Sequence, residues 1–225
     1  MYRLFIKRVL DIFLSITAII LLAIPMAAIA LLIKWDLGSP VIFQQERIGR
    51  DEKPFKLLKF RSMKTEFDEY GIPLPDEQRV TSLGKIIRKY SIDELPSLIN
   101  ILKGDMSLVG PRPLPMNYLP WFKDEERVRH QVRGGLTGLA QVNGRNMVSW
   151  EEKFKYDIEY VKNMTFIIDV KIFFKTITVV FEHRDIGSRG VDAPPDFHVY
   201  RSGLSERELK QREEQRHVAK KTIDA

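Results

Sequence analysis

Two adjacent carboxylates, Asp93 and Glu94, stand at the head of an apolar run. Leu95, Leu98, Ile99, Ile101 and Leu102 in that run have helical spacing. Pro96 lacks an N–H and fits only in a first turn, where those groups have no intrahelical partner. Two uses of this arrangement are open. Ser91-x-x-Glu94 reads as a capping box, an ordinary way to start a helix. A helix start also carries partial positive charge and free N–H groups, which attract phosphate and keep Asp93 ionised. An ionised carboxylate beside a phosphate is arranged to attack phosphorus.

Cations recur around this pair. Leu57, Lys59 and Arg61 share one face of the strand predicted from Phe55 to Met63, so they could meet a phosphate or simply face water. Arg88 closes a short helix over Thr81–Tyr90, five residues before Asp93. A cation is stabilising there whatever its function. Pro111 and Pro113 restrict the backbone on both sides of Arg112, which suits a pre-set guanidinium to phosphate or base recognition. A turn with a solvated Arg is the plain alternative. The segment from Arg133 to Arg145, with Gln141 inside it, is glycine-rich but matches neither a Walker loop nor a dinucleotide fingerprint. Asp157 lies on a helix over Trp150–Met164, off its apolar stripe, with Lys153 as a local partner.

The elements that must position these groups begin with a long apolar segment. Ile12 to Ile33 contains no charge, enough to span a bilayer. Arg3, Lys7, Arg8 and Ala28-x-Ala30 resemble signal-peptide features, but the run continues past the cleavage-like site. Pro25 sits inside it and favours a break, so a single span and a hairpin returning to the same face both fit. Lys7-Arg8-x-x-Asp11 reads either as a helical ion pair or as a clamp for a lipid headgroup. Val41–Ile48 and Phe55–Met63 predict a β-hairpin, residues 66–78 a loop, and residues 167–181 a further apolar helix. The predicted class is α+β, mainly helical. Its divisions are a membrane hairpin over 1–36, a catalytic domain over 37–184 with interfacial amphipathic helices, and a polar extension over 185–225. That extension is expected outside the core, where a partner could order it, and it leaves room for a homodimer.

The chain has 225 residues and a net charge of +6, which suits anionic partners such as phosphorylated substrates, lipid surfaces or nucleic acid. It has no cysteine, which excludes disulfides and thiolate metal sites.

Taken in order, the motifs resemble the bacterial sugar transferases, specifically the small monotopic phosphoglycosyl transferases. They run from Lys7-Arg8-x-x-Asp11 through Lys59-Phe60-Arg61-Ser62-Met63 and Ser91-x-Asp93-Glu94-Leu95-Pro96. Leu102-x-Gly104-Asp105-Met106-Ser107 and Gly110-Pro111-Arg112-Pro113 follow. Thr137-Gly138-x-Ala140-Gln141-Val142-x-Gly144-Arg145, Asp157-x-x-Tyr160 and Asp169-x-Lys171-Ile172 complete the set. The likeness covers about residues 1–183 and is nearest to the enzymes that initiate bacterial N-glycosylation. It implies transfer of a sugar phosphate from a UDP-sugar to polyprenyl phosphate, with release of UMP. It also implies a bacterial inner-membrane protein whose catalytic domain faces the cytoplasm. Carried over, Asp93 is the nucleophile that takes the phosphosugar, and Glu94 is its acidic partner. Both would meet Mg2+. Lys59, Arg88, Arg112, Gln141, Arg145 and Asp157 would bind substrate, with Arg112 at the nucleotide. Arg8 and Asp11 would sit at the lipid headgroup. The resemblance leaves no role for nucleic acid. The rival reading is a membrane-tethered protein that holds nucleic acid or anionic lipid on its basic surface. Two departures stand out: Ile24-Pro25 where Ser-Pro is usual, and Gly134 where the glycine loop usually has proline.

Overall fold

The structure is a computed structural model that describes residues 1–71, 74–143, 148–181, 195–205 and 208. It is α+β and mainly helical, as the sequence predicts. After π-helical turns over Tyr2–Ile6, helix α1 (Lys7–Leu37) runs through Pro25 as one helix. It ends at Gly38, which takes a φ of 72°, and the Arg61 guanidinium donates to the Leu37 carbonyl. A cation at carbonyls left open by a helix end is favourable.

Both halves of α1 pack on the same body. Before Pro25, Ala18 and Ile19 lie against the cluster of Leu57, Leu98, Ile101 and Met106. After it, Met26, Ile29 and Ala30 lie against the cluster of Ile33, Phe60 and Ile87. The other side of the helix exposes Phe13, Ile20, Leu21, Ile24, Leu31 and Trp35. By length and composition α1 could cross a membrane. Water is a poor environment for so much apolar surface, which suits a lipid environment.

The hairpin forms as predicted. Strands β1 (Ile42–Ile48) and β2 (Pro54–Phe60) are antiparallel, with Phe43 opposite Lys59 and Arg47 opposite Phe55. The segment predicted as a loop includes a single turn of helix, α2 (Asp76–Arg79). Helix α3 (Ser82–Lys89) is capped by Thr81, whose hydroxyl accepts from Gly84 N at 3.0 Å. A 3-10 turn over Ile92–Glu94 then leads into α4 (Ser97–Lys103).

The next pairing was not visible in the sequence. Strands β3 (Met106–Val109) and β4 (Gly134–Thr137) are parallel, where the motif reading has only turns and a glycine loop. Four residues are too few for a clear alternation, and β4 begins with two glycines. Gly135 is needed there, because a Cβ would come within 2.1 Å of Gly110 N. The short α5 (Leu139–Val142), α6 (Trp150–Asn163) and α7 (Phe166–Phe181) follow.

The tail corrects an expectation. Helix α8 (Phe197–Ser202) belongs to the core. Phe197 is fully buried among Tyr118, Phe122, Trp150 and Phe154. Trp150 Nε1 donates to Pro195 O at 2.9 Å, and Arg201 pairs with Glu126. The tail is polar on average, but Phe197 supplies a large apolar side chain at the position that enters the aromatic cluster. Most of the polar extension over 185–225 lies outside the described residues.

Candidate active site

Helix α4 is joined to β2 by side chains that bond to strand backbone. Ser97 Oγ donates to Leu58 O at 2.8 Å, and Asn100 Nδ2 donates to Lys56 O at 2.8 Å. Asn100 Oδ1 accepts from Leu58 N at 3.0 Å. Both side chains are 1 % exposed, so these bonds are shielded from water. Their effect is positional. They hold the turn that precedes α4, with its two acids, against Lys59. Nothing in the local sequence marks Ser97 or Asn100, since their partners are backbone groups about 40 residues away.

Lys59 Nζ lies 2.6 Å from Glu94 Oε1 and 3.7 Å from Asp93 Oδ2. Arg112 Nη2 donates to the same Glu94 oxygen at 2.7 Å. Glu94 therefore does not turn back to make a capping box. Ser91 has a left-handed φ of 55° and no capping side-chain bond. Its N–H donates to Arg88 O at 3.1 Å. Burial alone would raise the Glu94 carboxyl, but Arg112 and Lys59 outweigh it and hold the group far below the usual carboxylate range. Asp93 moves the other way. Burial is the largest influence and the Glu94 charge adds to it, so its pKa is raised despite Lys59, Arg112 and Arg88. The two acids have separate environments: Glu94 anchors cations, while Asp93 is the less compensated group.

Arg112 is fixed from behind. Its carbonyl accepts from Arg129 Nη2 at 2.7 Å. Arg129 is itself paired with Asp157, Nε to Oδ2 at 3.0 Å, and both residues are 3 % exposed. The guanidinium also lies over the Phe122 and Phe154 rings. Asp157 is thus placed behind the cleft, not in it; Arg129 hydrogen-bonds it and the Lys153 charge also acts on it. Arg129 was missed in the sequence. Its only signal was a cation in a segment otherwise read without function.

Other expected residues are distributed differently. Arg88 lies close enough to lower the Asp93 pKa, yet its guanidinium contacts Asp76 Oδ2 at 3.2 Å. Gln141 Nε2 donates to Leu136 O at 2.9 Å, beside the cleft. Arg145 lies outside the described residues. Arg8 donates to Ile101 O and Leu102 O at the C-terminal end of α4. Asp11 accepts from Leu108 N at 3.0 Å, so it does not form the local ion pair with Lys7 or Arg8. Lys7 instead meets Asp169 at 2.5 Å, which also receives Tyr2 and Tyr160.

Lys59, Glu94, Ser97, Arg112, Arg47 and Leu136 line a shallow open cleft. It presents fixed cations from a strand and a proline-bounded loop, with Glu94 in its wall and Asp93 beside Lys59 at 3.7 Å. Such a site can bind a diphosphate and offer a carboxylate to it. Its donor set also fits Mg2+, which takes one or two protein carboxylates and completes its shell with substrate phosphate oxygens. No group of three metal-ligating side chains occurs among the described residues.

Residues 2–183 match the bacterial sugar transferase family, and the chain belongs to it. It is 48% identical over 174 residues to an uncharacterized sugar transferase, EpsL, of Bacillus subtilis, covering 77% of this chain and 86% of that one. It is 41% identical over 184 residues to the UDP-N-acetylgalactosamine-undecaprenyl-phosphate N-acetylgalactosaminephosphotransferase of Aeromonas hydrophila, covering 78% and 44%. The UDP-glucose:undecaprenyl-phosphate glucose-1-phosphate transferase of Escherichia coli is 37% identical over 181 residues, covering 76% and 39%. The chain therefore spans most of the first relative and less than half of the other two.

Proposed function

We propose that this chain transfers a sugar phosphate from a UDP-sugar to polyprenyl phosphate, forming polyprenyl-diphosphate-sugar and UMP. The observation that carries the reading is the cluster of Asp93 and Glu94 with Lys59 and Arg112, joined by ion pairs. The named activities of the Aeromonas and Escherichia relatives support the substrate classes.

In the proposed mechanism an Asp93 carboxylate oxygen attacks the phosphorus that bears the sugar. The P–O bond to the nucleotide breaks, and UMP leaves with the bonding electrons. An oxygen of polyprenyl phosphate then attacks the aspartyl phosphosugar, which breaks the Asp93–phosphorus bond and restores the carboxylate. Both steps join anions, so Lys59 and Arg112 must offset charge as each bond forms. Glu94 holds those two cations in place. Arg88 and Gln141 contribute at the rim, and Arg145 is assigned to phosphate on the family resemblance alone. Asp157 acts through Arg129 and the Arg112 backbone. Mg2+, held by Asp93 and Glu94, would supply further neutralisation of the diphosphate.

The membrane part of the proposal is a re-entrant α1, with the N-terminus and catalytic domain on the cytoplasmic face of a bacterial inner membrane. The helix is continuous through Pro25, so the reading rests on both halves of α1 packing on one body. The Arg8 and Asp11 assignment to the lipid headgroup rests on their place at the polar start of that helix.

Incubation with UDP-sugar alone should yield about one equivalent of UMP and a sugar-phosphate mass adduct, the mark of a covalent intermediate. Asp93→Asn should lose both. Sustained turnover by that variant, with deamidation excluded, would sink the nucleophile assignment. A panel of UDP-sugars read by UMP release would identify the donor.

A further inference from the structure

The cleft is also lined by a cation that the motif reading did not single out. Arg47 lies on β1 and lines the same cleft as Lys59, Glu94 and Arg112. The hairpin register puts it there. Gln45 pairs with Leu57, and Arg47 with Phe55. Paired residues in an antiparallel ladder share a face, and alternate residues keep it. Gln45, Arg47, Leu57 and Lys59 are therefore on one side of the hairpin. Lys59 is opposite Phe43, four residues from Arg47, so the two backbones are about 14 Å apart along the strand.

The guanidinium is also oriented. Arg47 Nη2 donates to Gln45 Oε1 at 2.6 Å, and Nη1 donates to Pro113 O at 3.2 Å. It is tied both to its own strand and to the loop that carries Arg112. The opposite wall is Gly135 and Leu136, where a side chain at 135 would collide with Gly110. Lys59, Glu94, Arg112 and the oriented Arg47 guanidinium thus line one cleft, and Lys59 is in turn 3.7 Å from Asp93. A nucleoside diphosphate whose phosphorus meets Asp93 and Lys59 would extend its nucleoside monophosphate along the hairpin toward Arg47.

We infer that the Arg47 end of this cleft seats the leaving nucleotide, and that Arg47 is a further substrate-binding residue contacting the UMP portion of the donor. The inference rests on the transferase reading above. Oriented guanidinium donors suit phosphate, ribose hydroxyl and uracil carbonyl oxygens alike, and all three belong to the departing UMP. Arg47 thereby divides labour with Lys59. The lysine serves the phosphorus under attack, and the arginine serves the part that leaves.

The test uses the full-length chain in detergent. UMP is titrated by calorimetry, and donor kinetics are measured with a UDP-sugar and polyprenyl phosphate. Arg47→Ala should weaken UMP binding about tenfold, the scale of one lost charge-assisted contact, and raise the donor KM by more than it lowers kcat. Arg47→Lys should give a smaller loss in the same direction, and it supplies the reading if the alanine variant folds poorly. Unchanged UMP affinity in a folded variant would overturn the inference. So would equal weakening by Arg50→Ala, an exposed cation on the same hairpin, which would reduce the effect to bulk charge. Turnover by the wild-type chain reads the transferase proposal separately. Arg47-dependent UMP binding without turnover would remove that proposal and leave the nucleotide seat.

Discussion

Glu94 holds two cations with one carboxylate oxygen, and Asp93 beside it is left with the weaker compensation. The consequence appears in stability as well as chemistry. Below its ordinary pKa of 3.8, Asp93 is neutral both folded and unfolded and costs nothing. As pH rises through its raised folded value, the buried group must ionise, and the folded state loses stability relative to the unfolded one. Asp93→Asn should therefore melt above wild type at pH 7 to 8, with the gap closing below about pH 4. Thermal melting across that range checks it, and a lower melting point for the variant at neutral pH would contradict the raised pKa. Residue types made Asp93, Glu94, Lys59 and Arg112 legible in the sequence. Asp157 was legible only as a charge with a helical neighbour. Its real partner, Arg129, is 28 residues away, a distance no local pattern encodes.

At the scale of elements, long periodic segments were readable and short ones were not. The hairpin, α3, α6 and α7 all follow from their apolar spacing. The β3–β4 pair escaped because its strands are four residues long and one is glycine-rich. Helix α8 escaped because a single buried aromatic residue carries it. Phe197→Ala should cost about 3–5 kcal/mol in unfolding free energy, the usual scale for emptying a buried aromatic site. Denaturant unfolding reads this directly, and a loss under about 1 kcal/mol would mean that α8 contributes little to the core. Helix α1 makes a second prediction. With no native cysteine, single cysteines can replace Arg3 and Lys64, both exposed. In intact cells an impermeant thiol reagent should reach neither if both lie on the cytoplasmic face. Labelling at position 3 alone would establish a spanning helix.

For the whole molecule, the tail and helix α1 both join the same body. The sequence leaves room for a homodimer and for a partner that orders the tail, whereas α8 uses its apolar residue within its own chain. Light scattering in nanodiscs with and without residues 186–225 separates these roles. A fall from dimer to monomer on truncation would support assembly through the tail. An unchanged mass would leave the tail with its internal role alone.

The inward side of α1 is continuous with the interior. Leu57, Leu98 and Ile101 on one side of Pro25, and Phe60 and Ile87 on the other, are covered by it. Cutting away residues 1–36 would thus not release a soluble enzyme. It would strip the roof from two of the molecule's apolar clusters, including the one beneath the strand that carries Lys59. The long apolar helix and the scaffold of the catalytic body are the same piece of chain. Detergents that compete for the outer side of the helix can also loosen the inner one, so loss of activity on extraction would report a disturbed catalytic body as readily as a missing lipid substrate.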